Sequence, residues 1–231
     1  MIRGVFFDAG NTIVFPDYSI YSGVAASLGL EVAIPDVMRA EARARSAFDR
    51  AVASSPGRGV MGFWSIYYTP FYEHLGVPAE TIPTAIEKTR DANDRGLGIW
   101  KVPVDGFDGA MDELDARGLM IGIISNSDGR LEDRLGEIGI RDRFDFVIDS
   151  AVVGVSKPHP RIFELAIEAS GLPPSETAYV GDYYEVDVVG ARGVGMRPVL
   201  FDPYGAYEEV DCDVMRQFCD IVGLVDTWSG R

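Results

Sequence analysis

Asp8, Ser125 and Asp182 share a setting: each stands at the end of a short apolar run rich in β-formers, Ile2 to Phe7, Met120 to Ile124 and Ala178 to Val180. Carboxylates so placed have two chemical uses. One can attack an electrophilic centre such as phosphorus and form a covalent intermediate, and several together can hold a hard cation through oxygen. A hydroxyl can hold the oxygens of an anion. Taken singly, each residue could instead cap a helix, as Ser, Asp and Asn routinely do.

The elements that must position them follow from periodicity. A fourth apolar run, Pro198 to Phe201, precedes Asp202-Pro203. Between the runs, Phe107, Ala110, Met111 and Leu114, then Ile162, Phe163, Ala166 and Ile167, recur at helical spacing. This alternation predicts a doubly wound α/β fold, a parallel sheet with helices on both faces. Such sheets bind ligands outside the carboxyl ends of their strands, which is where the three residues fall.

Residues 16–98 break the rhythm. They contain no convincing strand and read as helices punctuated by Pro35, Ser55-Pro56-Gly57, Gly76-Val77-Pro78 and Pro83. A helix over about Asp36 to Ser54 would place Val37, Ala40, Ala44, Ala47, Phe48 and Ala51 on one face. The expected organisation is an α/β core of residues 1–15 and 99–231 and an α-helical insert of residues 16–98. The glycines in Gly190-Ala191-Arg192-Gly193-Val194-Gly195 follow a predicted helix instead of opening one, so they read as a helix end and a tight return to the last strand, not as a nucleotide loop.

Composition narrows the partners. A chain of 231 residues that is 47% hydrophobic can bury a sizeable core. Its net charge of −15, with 21 basic against 36 acidic residues, argues against nucleic acid, whose phosphates require a Lys/Arg surface. Cys212 and Cys219 lack a metal-ligand spacing and give no disulfide framework. The first residues lack the apolar stretch of a signal peptide, and no apolar run of about 18 residues could span a bilayer. The expectation is a soluble cytoplasmic protein, monomer or homodimer, without a membrane partner.

Four motifs, in order, carry a resemblance. They are Phe6-Phe7-Asp8-Ala9-Gly10-Asn11-Thr12, Ile123-Ile124-Ser125-Asn126, Lys157 within Gly154-Val155-Ser156-Lys157-Pro158, and Val180-Gly181-Asp182 with Asp187 downstream. Over its whole length the sequence resembles the haloacid dehalogenase-like (HAD) superfamily. The resemblance implies a Rossmann-like core with an α-helical cap inserted after the first motif, and Mg²⁺-dependent hydrolysis of a small phosphorylated substrate through an aspartyl-phosphate on Asp8. It gives Asp8, Thr12, Ser125 and Lys157 the catalytic places, and puts Asn126, Gly10 and Asn11 at the substrate. It assigns Mg²⁺ to Asp8, Asp182, Asp187 and the backbone carbonyl of Gly10. Lys157 is expected to neutralise the nucleophile and the phosphoryl oxygens.

One position departs from the pattern. Phosphatases of this family usually carry a second Asp two residues after the nucleophile as general acid and base; here it is Gly10. Such catalysis contributes about 10²–10⁴-fold. The insert could supply an acid, with His74, Tyr67, Tyr68 or Glu73 as candidates, or the substrate could have a good leaving group, as in an acyl phosphate. A different reaction is the third route. The relatives lacking the second Asp are 2-haloacid dehalogenases, which work without Mg²⁺, and phosphonoacetaldehyde hydrolases, which need an insert lysine; the insert's lysine is Lys88, on a helix that reads as solvated. A metabolite- or partner-binding protein with vestigial activity is the non-enzymatic alternative. Specificity is expected in the aromatic stretch from Phe63 to Tyr72, against the bland reading that these rings pack the insert's core. Arg58 and Arg90 read as solvated, and His159 as a helix-start feature.

Overall fold

The computed structural model describes residues 1–53, 63–96 and 98–230. Ser55-Pro56-Gly57 and Arg58 lie outside the described residues. Eight strands occur among them: β1 (Gly4–Phe7), β2 (Val14–Pro16), β3 (Trp100–Pro103), β4 (Met120–Ser125), β5 (Phe146–Asp149), β6 (Thr177–Gly181), β7 (Arg197–Phe201) and β8 (Asp213–Met215). The chain divides into two compact units, Met1–Phe15 with Pro103–Arg231, and Pro16–Val102. The second crossing falls after Val102, a little later than the expected return at residue 99. The cause is β3, which pairs with β2 as a separate two-stranded sheet where the chain passes between the units.

The larger unit is built on a six-stranded parallel sheet of order β5-β4-β1-β6-β7-β8. From β1 the chain moves outward through β4 to β5, then crosses back to β6 and moves outward the other way. The order therefore reverses at β1, so its neighbours β4 and β6 open a crevice at their carboxyl ends. Phe6 and Phe7 show why both faces are covered, since adjacent strand residues point oppositely. Phe6 joins Phe163, Tyr179 and Ala191 in one core cluster. Phe7 meets Phe218, which also packs on Phe107 and Phe201.

Among its described residues the insert unit holds four α-helices, α1 (Tyr18–Ser27), α2 (Ile34–Ala53), α3 (Phe63–Leu75) and α4 (Ile82–Asn93). Asp17 starts α1 by accepting the Ser19 N–H at 3.1 Å, and its carboxylate pairs with Lys101 at 3.0 Å. The rings on α3 build this unit's own core: Tyr67, Tyr68, Phe71 and Tyr72 are buried, with Tyr68 against Tyr21 and Tyr67 against Phe48. A phenol needs a partner when buried. Tyr67 donates to Glu41, which pairs with Arg45 at 3.3 Å; Tyr72 bonds Thr89, and Tyr68 bonds Tyr21 at 3.0 Å. Glu73, His74, Lys88 and Arg90 are exposed.

In the larger unit the remaining helices are α5 (Phe107–Ala116), α6 (Leu131–Glu137), α7 (Ser150–Val153), α8 (Pro160–Ser170), α9 (Val189–Gly193) and α10 (Asp220–Ser229). His159 caps α8, its Nδ1 accepting the Arg161 N–H at 3.1 Å. The glycines after Gly190 do end a helix: Gly195 takes a positive φ of 86° and leads into β7. Both cysteines are free. Among the described residues no helix is long and apolar enough to cross a membrane.

Candidate active site

Asp8 leaves β1 at the point where the strand order reverses, and its N–H prolongs the β1–β6 ladder by donating to the Val180 carbonyl at 2.8 Å. The next residues turn tightly. The Ala9 carbonyl accepts from Ile13 and Val14 at 2.9 and 2.8 Å, and the Asn11 N–H reaches the Val14 carbonyl at 2.9 Å. Asn11 sits at φ 55°, a left-handed conformation that Asn adopts more readily than most residues. Thr12 is wholly buried, and its hydroxyl has no hydrogen-bond partner among the described residues.

Lys157 reaches this loop from the segment before α8. Its Nζ donates to Asp8 Oδ1 at 2.7 Å, Asp187 Oδ1 at 2.8 Å and the Tyr179 hydroxyl at 2.8 Å. An ammonium has three N–H groups, so this set of acceptors is complete. With these three acceptors in place the ammonium has no fourth N–H to donate. Burial pushes the Lys157 pKa down, but the Asp187 and Asp8 carboxylates outweigh it and hold it above the ordinary lysine value.

The lysine's main chain is held as firmly. Asn126, one residue past β4, donates its side-chain amide to the Lys157 carbonyl at 3.0 Å and accepts the Lys157 N–H at 2.7 Å. Its amide thus fixes the lysine's backbone beside the site. Ser125 closes β4, buried and opposite Asp149.

Asp182 follows β6, and Asp187 lies in a π-helical turn, Tyr184–Val188. Such turns occur often at functional sites. Here the turn brings Asp187 back over the strand it has just left: its Oδ2 accepts the Tyr183 N–H at 3.0 Å. Burial is the largest influence on its carboxyl and raises its pKa, with Lys157 opposing and Asp8 adding to the rise. Gly181 is required for this close approach, because a Cβ at that position would overlap the Asp187 carboxyl group. Gly181→Ala is accordingly expected to destabilise the protein by about 1–3 kcal/mol, as overpacking does. Thermal unfolding checks this; an unchanged Tm would show that Asp187 has room to move.

Asp8, Asp182 and Asp187 are all buried, and each offers a carboxylate oxygen within 4.8 Å of the others. Three carboxylates face one ammonium, an excess of two negative charges. Gly10 forms a bridge with Val14 at the edge of the turn. Two features escaped the sequence reading. Tyr179 is one, and the available signal was that a phenol in a strand buried throughout must send its hydroxyl to a partner. Tyr207 donates to the Asp182 carbonyl at 3.4 Å from a loop rooted on buried Asp202.

Known proteins resemble this chain at several levels. Residues 2–195 match the family described as haloacid dehalogenase-like hydrolase. The haloacid dehalogenase-like hydrolase domain-containing protein 3 of Homo sapiens is 45% identical over 101 residues, covering 44% of this chain and 40% of the human protein. The match to that curated relative thus spans less than half its length. The phosphoserine phosphatase of Thermus thermophilus is 29% identical over 210 residues, 80% of this chain and 83% of that one. Among solved structures, the HAD-hydrolase YfnB of Bacillus subtilis, bound to magnesium, superposes with a TM-score of 0.70 at 14% identity, covering 97% of this chain and 99% of that one. At that identity the likeness is one of fold. Because the family match runs through each residue that the sheet gathers at its reversal point, the chain belongs to the haloacid dehalogenase-like hydrolases.

Proposed function

We propose that this hydrolase is a Mg²⁺-dependent phosphatase of a small phosphorylated metabolite, acting through an aspartyl-phosphate on Asp8. The observation that supports the reading is the buried set of three carboxylates around one lysine. The donor set suits the metal: hard carboxylate oxygens, buried together, with a charge excess equal to one divalent cation. Asp8, Asp182 and Asp187 would hold the ion with the Gly10 carbonyl. Bound there, Mg²⁺ would supply the positive charge that lets an anionic nucleophile meet an anionic phosphoryl group. Gly181→Ala, which displaces Asp187, should weaken Mg²⁺ binding about 10- to 100-fold.

The rest of the chemistry belongs to the chain. A carboxylate oxygen of Asp8 attacks phosphorus in line as the bond to the leaving oxygen breaks; water then attacks phosphorus, freeing the carboxylate and inorganic phosphate. Lys157 fixes the rotation of Asp8 through Oδ1. Thr12, Ser125 and the Gly10 N–H line the loop ends where phosphoryl oxygens would rest, with Asn11 beside them. The α-helical insert acts as a cap and confers specificity. The phosphatase name of the Thermus relative supports the reaction class.

Gly10 cannot give the leaving oxygen a proton, so good leaving groups should be favoured. Phosphate release from p-nitrophenyl phosphate and glycerol phosphate, with Mg²⁺ or EDTA, tests this together with Gly10→Asp. Release should require Mg²⁺ and be faster with p-nitrophenyl phosphate. Gly10→Asp should raise glycerol phosphate turnover about 10- to 100-fold, towards the usual value of a general acid, and change p-nitrophenyl phosphate by less than about 3-fold. Gly10 also favours a second reading, 2-haloacid dehalogenation, since halide leaves without a proton. Chloride release from 2-chloropropionate unaffected by EDTA would establish that reading and overturn the first.

A further inference from the structure

We infer that Tyr179 is a positioning residue of this site, its phenol hydroxyl locking the Lys157 ammonium onto Asp8 and Asp187. The role rests on the phosphatase reading above. Tyr179 lies on β6 in register with Phe6 of β1, and its hydroxyl reaches past β1 to the Ile124 carbonyl of β4 at 2.8 Å. One side chain thus links β6 to β4 across β1, beside the point where Asp8 emerges. The hydroxyl has a single proton, and the Ile124 carbonyl is a nearer acceptor than Asp187 Oδ1 at 3.3 Å. With that proton directed to Ile124, an oxygen lone pair is left for Lys157 Nζ at 2.8 Å. The ammonium is 5.4 Å from the ring centroid; being so near the oxygen, it lies beyond the hydroxyl and away from the π face, so the contact is a hydrogen bond.

The ring cannot easily turn away. Tyr179 is wholly buried, and Phe163 packs edge-on against it at 5.2 Å. The oxygen is therefore a fixed acceptor on a rigid arm, whereas a lysine stem has four flexible bonds. Two acceptors on carboxylates alone would leave the third N–H without a partner in a dry site and the ammonium free to swing between Asp8 and Asp187. The Tyr179 hydroxyl sets the third direction, and the two carboxylate contacts follow.

Tyr179→Phe keeps the ring and removes the oxygen. With p-nitrophenyl phosphate and Mg²⁺, kcat should fall about 10- to 100-fold, the equivalent of one hydrogen bond to a charged group, while KM changes less than about 2-fold. In a Lys157→Met background the same substitution should cost less than about 2-fold, because a residue acting through Lys157 has nothing left to act on. Equal losses in both backgrounds, or a shift confined to Tm with kcat unchanged, would overturn the role. A second readout needs no turnover. In protein labelled with ¹⁵N-lysine and stripped of metal, the Lys157 ammonium should give a slowly exchanging signal, identified by its absence in Lys157→Met, that broadens away in Tyr179→Phe. Persistence of that signal in Tyr179→Phe would overturn the positioning even if no substrate is ever turned over, whereas loss of Asp8-dependent turnover with the signal behaving as expected would count against the phosphatase reading alone.

Discussion

Asp8→Asn is expected to lower kcat by about 10⁴-fold or more, on the scale seen when a covalent nucleophile is removed. The substitution nearly conserves shape, so the β1–β6 bond from the residue 8 N–H to Val180 should persist and the fold with it. An amide oxygen still accepts from Lys157 but cannot form an acyl phosphate. Circular dichroism and unfolding close to wild type, beside turnover at the blank rate, would be the signature. Substantial residual activity would transfer the nucleophile to another group or to water.

The second large effect falls on stability. Lys157→Met removes the ammonium from a cluster in which its side chain and that of Asp187 are essentially inaccessible. Losing one partner of a buried ion pair costs about 3–5 kcal/mol, because the other charge is left uncompensated. For a chain of this size that lowers Tm by about 6–20 °C. Burial already raises the Asp187 pKa, with Lys157 opposing, so without the lysine Asp187 must be kept neutral in the folded state. A carboxyl whose folded pKa lies above its unfolded value supports folding at low pH and loses that contribution as pH rises through the folded pKa. In EDTA the variant should therefore lose stability on going upward from the ordinary carboxylate range, more steeply than wild type. Added Mg²⁺ should narrow the gap by supplying positive charge. A Tm within about 2 °C of wild type across this range would mean that the cluster is solvated or rearranges freely.

The central strands were legible in the sequence because burial on both faces leaves β1, β4, β6 and the second half of β7 with short, mostly apolar runs. β5 and β8 lie at the two edges of the sheet, are four and three residues long, and carry partly exposed positions. Their short, mixed patterns do not separate from loops. β2 and β3 were hidden for a related reason: each is brief, and pairing across the whole insert leaves no local signature. The helical insert itself was legible from its punctuation.

For the site, single residues could be picked out at strand ends, but their meeting could not. Asp8 and Lys157 are 149 positions apart, and Asn126 contacts Lys157 across 31. No periodicity links them; the family resemblance did. The grip of the Asn126 side-chain amide on the Lys157 backbone had no signal in the sequence, and the resemblance offered nothing on Tyr179. The three-way saturation of the ammonium by Asp8, Asp187 and Tyr179 is a property of distances that no sequence pattern announces.

The covalent intermediate is the most direct test. Protein mixed briefly with excess p-nitrophenyl phosphate and Mg²⁺, quenched in acid and digested, should yield one phosphoryl group on the peptide containing Asp8, and heavy-oxygen water should label the released phosphate. Turnover with no adduct at Asp8, or single-turnover label appearing in the Asp8 carboxylate, where attack on an ester would place it, would contradict the aspartyl-phosphate mechanism.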